Sequence, residues 1–166
     1  MSPRAACRLE SLRFSAVYDY AAGKTDWTGS GFPTEGSHAD IPRPGHLARP
    51  TPTCRLSDTV ATARERARDA GVCIVISDDG IVLGRLRGRA FEQDGASSVV
   101  DVMEPGPTTV RYDEFLPNLV ERMRKGGVGS IVVTKPSGAL VGVMQRSDAE
   151  EFLAELHQDH HDHDGS

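Results

Sequence analysis

The sequence predicts a mixed α/β fold of the α+β kind: two βαββα repeats packed about a pseudo-twofold axis, with a small N-terminal helix–strand extension. Three observations point there. A long segment of the chain repeats itself. Each copy runs from a helical pattern into two short apolar strand patterns. And the 166 residues, 38% hydrophobic but only 5% aromatic, suffice for one shared core of Val, Ile, Leu and Ala and not for two large domains.

The repeat lies within residues 51–156. Shifted by 56 positions, Thr53 falls on Thr109 and Arg55 on Arg111. Glu65, Arg66 and Arg68 fall on Glu121, Arg122 and Arg124, and Gly71-Val72 on Gly127-Val128. After two extra residues in the second copy, Val82-Leu83-Gly84 matches Leu140-Val141-Gly142. A period of this length takes precedence over local features, because each copy then has to be one supersecondary unit.

Each copy reads the same way. A Pro/Thr-rich entry leads to a polar cap, Ser57-Asp58 or Asp113-Glu114, and a helix of about three to four turns. Pro117 falls early in its helix, where a missing N–H costs least. Gly71 and Gly126-Gly127 stand at the expected stop. An apolar strand follows, Val72 to Ile76 or Ile131 to Val133, then a turn at Asp78-Asp79-Gly80 or Lys135-Pro136-Ser137-Gly138. The second strand is Ile81 to Leu86 or Ala139 to Met144. A helix from Asp148 to about Leu156 closes the second copy. One such unit leaves a sheet face uncovered, and two units bury those faces against each other.

The flanks divide the rest. Residues 1–36 hold a helix start at Ser2-Pro3-Arg4, apolar positions Ala5, Leu9 and Leu12 at helical spacing, and a short strand pattern, Ala16 to Tyr20. Residues 37–50, with Pro42, Pro44, Gly45 and Pro50, have a linker composition. Residues 51–103 and 104–156 are the two copies. Residues 157–166 form a His/Asp tail, expected to be disordered; His160 and His163 with the nearby Asp residues carry metal-chelating chemistry on a segment nothing holds rigid.

The net charge of −5 argues against nucleic-acid binding, which needs clustered Lys and Arg. Three cysteines without metal-ligand spacing fit a reducing compartment. Cys7 and Cys73 read as small core residues, and Cys54, beside a Pro-rich entry, as exposed. No apolar run approaches the roughly 20 residues of a membrane span, and Met1 to Arg8 lacks a signal-peptide core. The expectation is a cytoplasmic protein with no membrane partner.

The two helix-Gly-Val-strand-turn-strand units, and above all Leu140-Val141-Gly142-Val143-Met144-Gln145-Arg146-Ser147-Asp148, resemble a tandem pair of cystathionine-β-synthase-type (CBS) domains, or Bateman module, over residues 47–156. The last string resembles that family's Gly-x-x-Thr-x-x-Asp pattern. The resemblance implies a regulatory module, not an enzyme, that forms a homodimer and takes an adenosyl ligand (AMP, ADP, ATP or S-adenosylmethionine) between the repeats. An Asp at a helix start accepts both ribose hydroxyls, a neighbouring hydroxyl and helix N–H groups meet phosphate, and apolar strand residues sandwich the base. Asp148 takes the ribose role, Ser147 supplies the hydroxyl, Arg146 meets phosphate by charge, and Val143 belongs to the strand. Gln145 stands where the family has Thr. Ser147 and Asp148 equally suit a plain helix cap.

The first copy departs further: Arg87 replaces the Thr and Ala90 the Asp, so one cleft is favoured. Arg85, Arg87 and Arg89 alternate, which on a strand places them on one face, as a contact for a polyphosphate or an acidic partner, or as a solvated stripe. No catalytic residue, metal ligand or permanent cofactor is implied. Residues 1–36, through Val17-Tyr18-Asp19-Tyr20, Trp27 and Gly31-Phe32-Pro33, resemble the C-terminal third of a rhodanese-like domain. That family's nucleophilic Cys would precede Met1, and Cys7 does not match it, so no sulfurtransferase activity is implied.

Overall fold

The computed structural model describes residues 41–163 continuously, together with Leu9, residues 11–17, Gly23, Trp27 and Phe32; side chains are described through Leu156 and at Gln158. Most of residues 1–36, the segment expected to resemble the end of a rhodanese-like domain, lies outside the described residues. Within it, Ala16 and Val17 belong to no strand, Tyr18 to Tyr20 lie outside, and Trp27 and Phe32 stack with ring centroids 4.8 Å apart.

The first repeat comprises β1 (Thr53–Cys54), α1 (Val60–Arg66), β2 (Val72–Ile76), β3 (Val82–Arg87), a 3₁₀ turn at Gly88–Glu92 and α2 (Val99–Val102); β4 (Glu104–Pro105), which pairs with its sheet, leads into the second. The second comprises β5 (Thr109–Arg111), α3 (Leu116–Lys125), β6 (Ser130–Thr134), β7 (Leu140–Gln145) and α4 (Arg146–His163). One sheet has the order β1-β2-β3-β4 and the other β5-β6-β7. In each, the entry strand lies parallel to its neighbour and the hairpin is antiparallel.

The turns of the two hairpins meet across the pseudo-twofold axis. Val82 N–H donates to the Gly138 carbonyl at 3.1 Å and Leu140 N–H to the Gly80 carbonyl at 3.0 Å, a reciprocal pair. Behind it Ile74, Val132 and Val143 form the buried centre between the sheets, with Val72, Ile76, Val82 and Leu140 around them. Each repeat also has its own core, Cys54, Ala63, Cys73, Val75, Leu86 and Val99 in the first, and Leu116, Leu119, Val133 and Met144 among others in the second. Apart from Tyr112 in the second core, these are aliphatic or sulfur side chains, as suits a chain poor in aromatics.

Several expectations need correction. The cap of α1 is Thr59, whose hydroxyl accepts from Thr62 N–H, not Ser57-Asp58. Asp58 is occupied elsewhere, accepting from Arg55 N–H and from Arg66, each at 2.8 Å. Helix α1 has seven residues, shorter than expected. Beyond Arg66 the chain tightens into turns on the Ala67 carbonyl that end at Gly71, whose φ of +64° suits a residue without Cβ. Cys54 is buried, not exposed, because β1 is docked along β2 in register with Val75. Arg89 leaves the arginine face, because Gly88, at φ +48°, ends β3 and starts the 3₁₀ turn. Helix α4 continues to His163, through most of the 157–166 tail; no Gly or Pro interrupts it before Gly165.

Residues 41–50 are not a free linker. They form a strap on the second repeat. Arg49 and Val143 exchange backbone hydrogen bonds at 3.0 Å in both directions. The Pro42 carbonyl accepts from Leu116 N–H, which caps α3 where Phe115 offers no side-chain acceptor. Pro44 is buried, and Leu47 and Ala48 pack on the core. The guanidinium of Arg43 lies 4.2 Å over the Phe115 ring and donates to the Asp113 carbonyl at 2.8 Å.

Candidate functional site

The strap completes a symmetry that the sequence repeat does not display. In the first repeat, β4 lies along β3, with Arg85 opposite Glu104. In the second, Arg49 lies along β7 opposite Val143. The segment that leads into each repeat therefore edges the last strand of the other. Gly84 and Gly142 mark both crossings: a Cβ at Gly84 would meet the Met103 thioether, and one at Gly142 would press into the Arg49 carbonyl.

The charges at these edges are inverted. On the β3 side, Arg85 Nε donates to Glu104 Oε2 at 2.8 Å and Arg87 Nε to Glu104 Oε1 at 3.1 Å. Those hydrogen bonds, Arg85's first and then Arg87's, hold the Glu104 carboxyl below its ordinary value. On the β7 side the strap supplies the cation: Arg49 Nη2 lies 2.8 Å from Asp148 Oδ2.

Between the repeats lies a cleft of about 530 Å³, within the usual range for a small-molecule site, ~300–1,000 Å³. One wall is Arg85 and Arg87 of β3. The other is Thr108, the loop from Gly127 to Gly129 and the start of β6, with Gln145 at the end of β7. The loop contains the two residues by which the second copy exceeds the first. It is fixed at both ends: Val128 N–H donates to the Met123 carbonyl at 2.9 Å and Arg146 N–H to the Gly129 carbonyl at 2.8 Å. Val128 is one of few exposed large apolar side chains, at 38%.

Of the residues singled out in the sequence, Gln145, Arg85 and Arg87 line this cleft. Val143 is buried in the central core, opposite Arg49. Arg146, Ser147 and Asp148 begin α4 but are not among the lining residues. Arg146 Nε lies 3.7 Å from Glu150. Ser147 Oγ donates to Asp148 Oδ1 at 3.3 Å, so Asp148 is held by both Ser147 and Arg49. Sequence reasoning missed Thr108, the Gly127–Gly129 loop and Arg49. The two-residue insertion was the available signal for the loop; nothing in the strap's composition pointed to Arg49. A second concavity, of about 610 Å³, is lined by Arg87, Arg89, Gln93, Asp101 and Glu104 among others. It shares Arg87 with the cleft and mixes both charges.

Residues 99–155 match the CBS domain family. The fold is that of a CBS pair. The CBS domains of a transcriptional regulator from Streptococcus pneumoniae superpose with a TM-score of 0.60 at 24% identity, covering 68% of this chain and 99% of that one. The cytosolic domain of the magnesium channel MgtE in complex with ATP gives 0.60 at 23%, covering 66% and 48%. A CBS domain protein from Pyrobaculum aerophilum complexed with AMP gives 0.55 at 19%, covering 64% and 89%. Among curated proteins, human 17-beta-hydroxysteroid dehydrogenase type 1 is 36% identical over 102 residues, 60% of this chain and 29% of its own length. The chain thus spans under a third of that relative and about half of the magnesium-channel domain. No helix among the described residues is long and apolar enough to cross a membrane.

Proposed function

We propose that the chain is a regulatory module, without catalytic activity, that takes an adenosyl ligand in the cleft between its repeats and works as a homodimer. The observation that carries this reading is the cleft itself: cationic side chains from β3 face a glycine-containing loop, a hydroxyl at Thr108 and the amide of Gln145. Such a set offers donors for phosphate and ribose oxygens and an apolar platform at Val128 for a base. ATP and AMP in two of the similar structures support the ligand class. Asp148 is already engaged by Arg49 at Oδ2 and Ser147 at Oδ1, so a ribose contact would share or displace these bonds. Binding would shift the relative packing of the repeats, since the cleft walls belong to both. Thermal-shift measurements with millimolar AMP, ADP, ATP and S-adenosylmethionine test the reading: stabilisation by at least one is expected, and no response to any of them contradicts it.

A second reading, a ligand-free dimerisation module, is favoured by Ala90 at the position matching Asp148 and by the prior pairing of Asp148 with Arg49. Light scattering separates the parts of the proposal: a strictly monomeric mass removes the dimer from both readings. The dehydrogenase resemblance carries no activity here. Dinucleotide sites lie beyond a parallel sheet, where a glycine-rich turn leads from strand to helix. Both sheets here mix parallel and antiparallel pairing, and the Gly126–Gly129 segment leads from helix to strand.

A further inference from the structure

We propose that the cleft selects ligands by their phosphate charge, binding a nucleotide di- or triphosphate through Arg85 and Arg87, and that Glu104 acts as a built-in competitor for those two arginines. The inference rests on the reading of the cleft as an adenosyl site and specifies which adenosyl ligands fit.

The charged residues that line the cleft are Arg85 and Arg87, and no carboxylate is among its lining residues. Glu104 engages the Nε–H of each guanidinium. The Nη donors of both have no protein partner among the described residues, and the Arg87 side chain is 54% exposed. Two positive charges against one thus leave a local excess of one positive charge at the cleft wall. A polyphosphate spreads its charge over several oxygens and satisfies two forked guanidinium groups at once. A single phosphate uses fewer of these donors, and an uncharged nucleoside none through charge. S-adenosylmethionine carries a sulfonium cation, which these arginines repel. Because Glu104 hydrogen-bonds both guanidinium groups, its negative charge offsets theirs and opposes an incoming phosphate. Neutralising the arginine and neutralising the glutamate therefore act in opposite directions on an anionic ligand. A purely structural role for the Arg85–Glu104–Arg87 cluster predicts the same direction for both, since either change breaks the cluster.

The test is calorimetric titration of ATP, AMP, adenosine and S-adenosylmethionine into the intact wild-type chain and into Arg87→Gln and Glu104→Gln. Affinity should fall in the order ATP, AMP, adenosine. Arg87→Gln should weaken ATP by about 10-fold and adenosine by much less, with a wild-type-like thermal melt showing that the variant is folded. Glu104→Gln should strengthen ATP by about 3-fold. Raising the salt concentration should weaken ATP more than adenosine. Adenosine or S-adenosylmethionine binding as tightly as ATP, or a shift in the same direction for both variants, overturns the charge-selection inference and leaves the adenosyl reading standing. Binding of none of the four compounds overturns the adenosyl reading, and this inference with it.

Discussion

Individual residues settle how the two repeats were adjusted to one another. Gly142 is the tightest crossing, because its neighbour is the Arg49 backbone and not a movable side chain. Gly142→Ala should cost about 2 kcal/mol of stability in urea unfolding, and Gly84→Ala less, since the Met103 thioether can turn aside; equal costs would contradict the strap geometry. Glu104 sets a pH dependence. Its folded pKa is depressed by Arg85 and Arg87, so its contribution is present above the ordinary carboxylate value of 4.5 and is lost as pH falls through the lower folded value. The group is exposed, so the effect is small. Measured as the difference in melting temperature between wild type and Glu104→Gln, the gap should close on acidification from pH 6 towards 3. Cys54 and Cys73 lie together in the first core; the hydrogen bond to Cys54, then burial, pushes the Cys73 thiol up. Site-resolved thiol labelling at neutral pH should find both slow in the folded chain and fast in denaturant, and rapid labelling of either in the folded chain would contradict the packing.

At the scale of elements, the periodic parts were legible and the edges were not. The hairpin strands were readable to within a residue or two, because an apolar run bounded by Gly or Pro leaves few alternatives. Gly127 was legible as a helix stop, while α1 ends at Arg66, before Gly71, though both glycines adopt a left-handed backbone. The strap was not legible. It binds through backbone hydrogen bonds, a proline carbonyl at the start of α3 and the Arg43–Phe115 contact, and none of these leaves a side-chain period. The same limit hid the cleft's loop, which holds its place by backbone bonds to Met123 and Arg146. Arg43→Ala removes both the ring contact and the donor to Asp113. It should destabilise the fold by about 1–3 kcal/mol, with hydrogen exchange rising first along the strap and at the start of α3.

For the whole molecule, the repeat predicted the pseudo-twofold core but not its asymmetry. The reciprocal Val82–Gly138 and Leu140–Gly80 bonds keep the frame symmetric, while the edges carry opposite charges, Glu104 on one and Arg49 on the other. The candidate site was half legible. Gln145 and Arg87 were found from the aligned strand ends, whereas Asp148, the residue the pattern emphasised, is engaged by the strap. Function on this account belongs to the junction of the two repeats, since each contributes one wall of the cleft. The most direct measurement is backbone NMR of the intact chain titrated with ATP. The account predicts saturable shifts concentrated at Arg85, Arg87, Thr108, residues 127–131 and Gln145. Shifts centred elsewhere, or none at millimolar ATP, would contradict it.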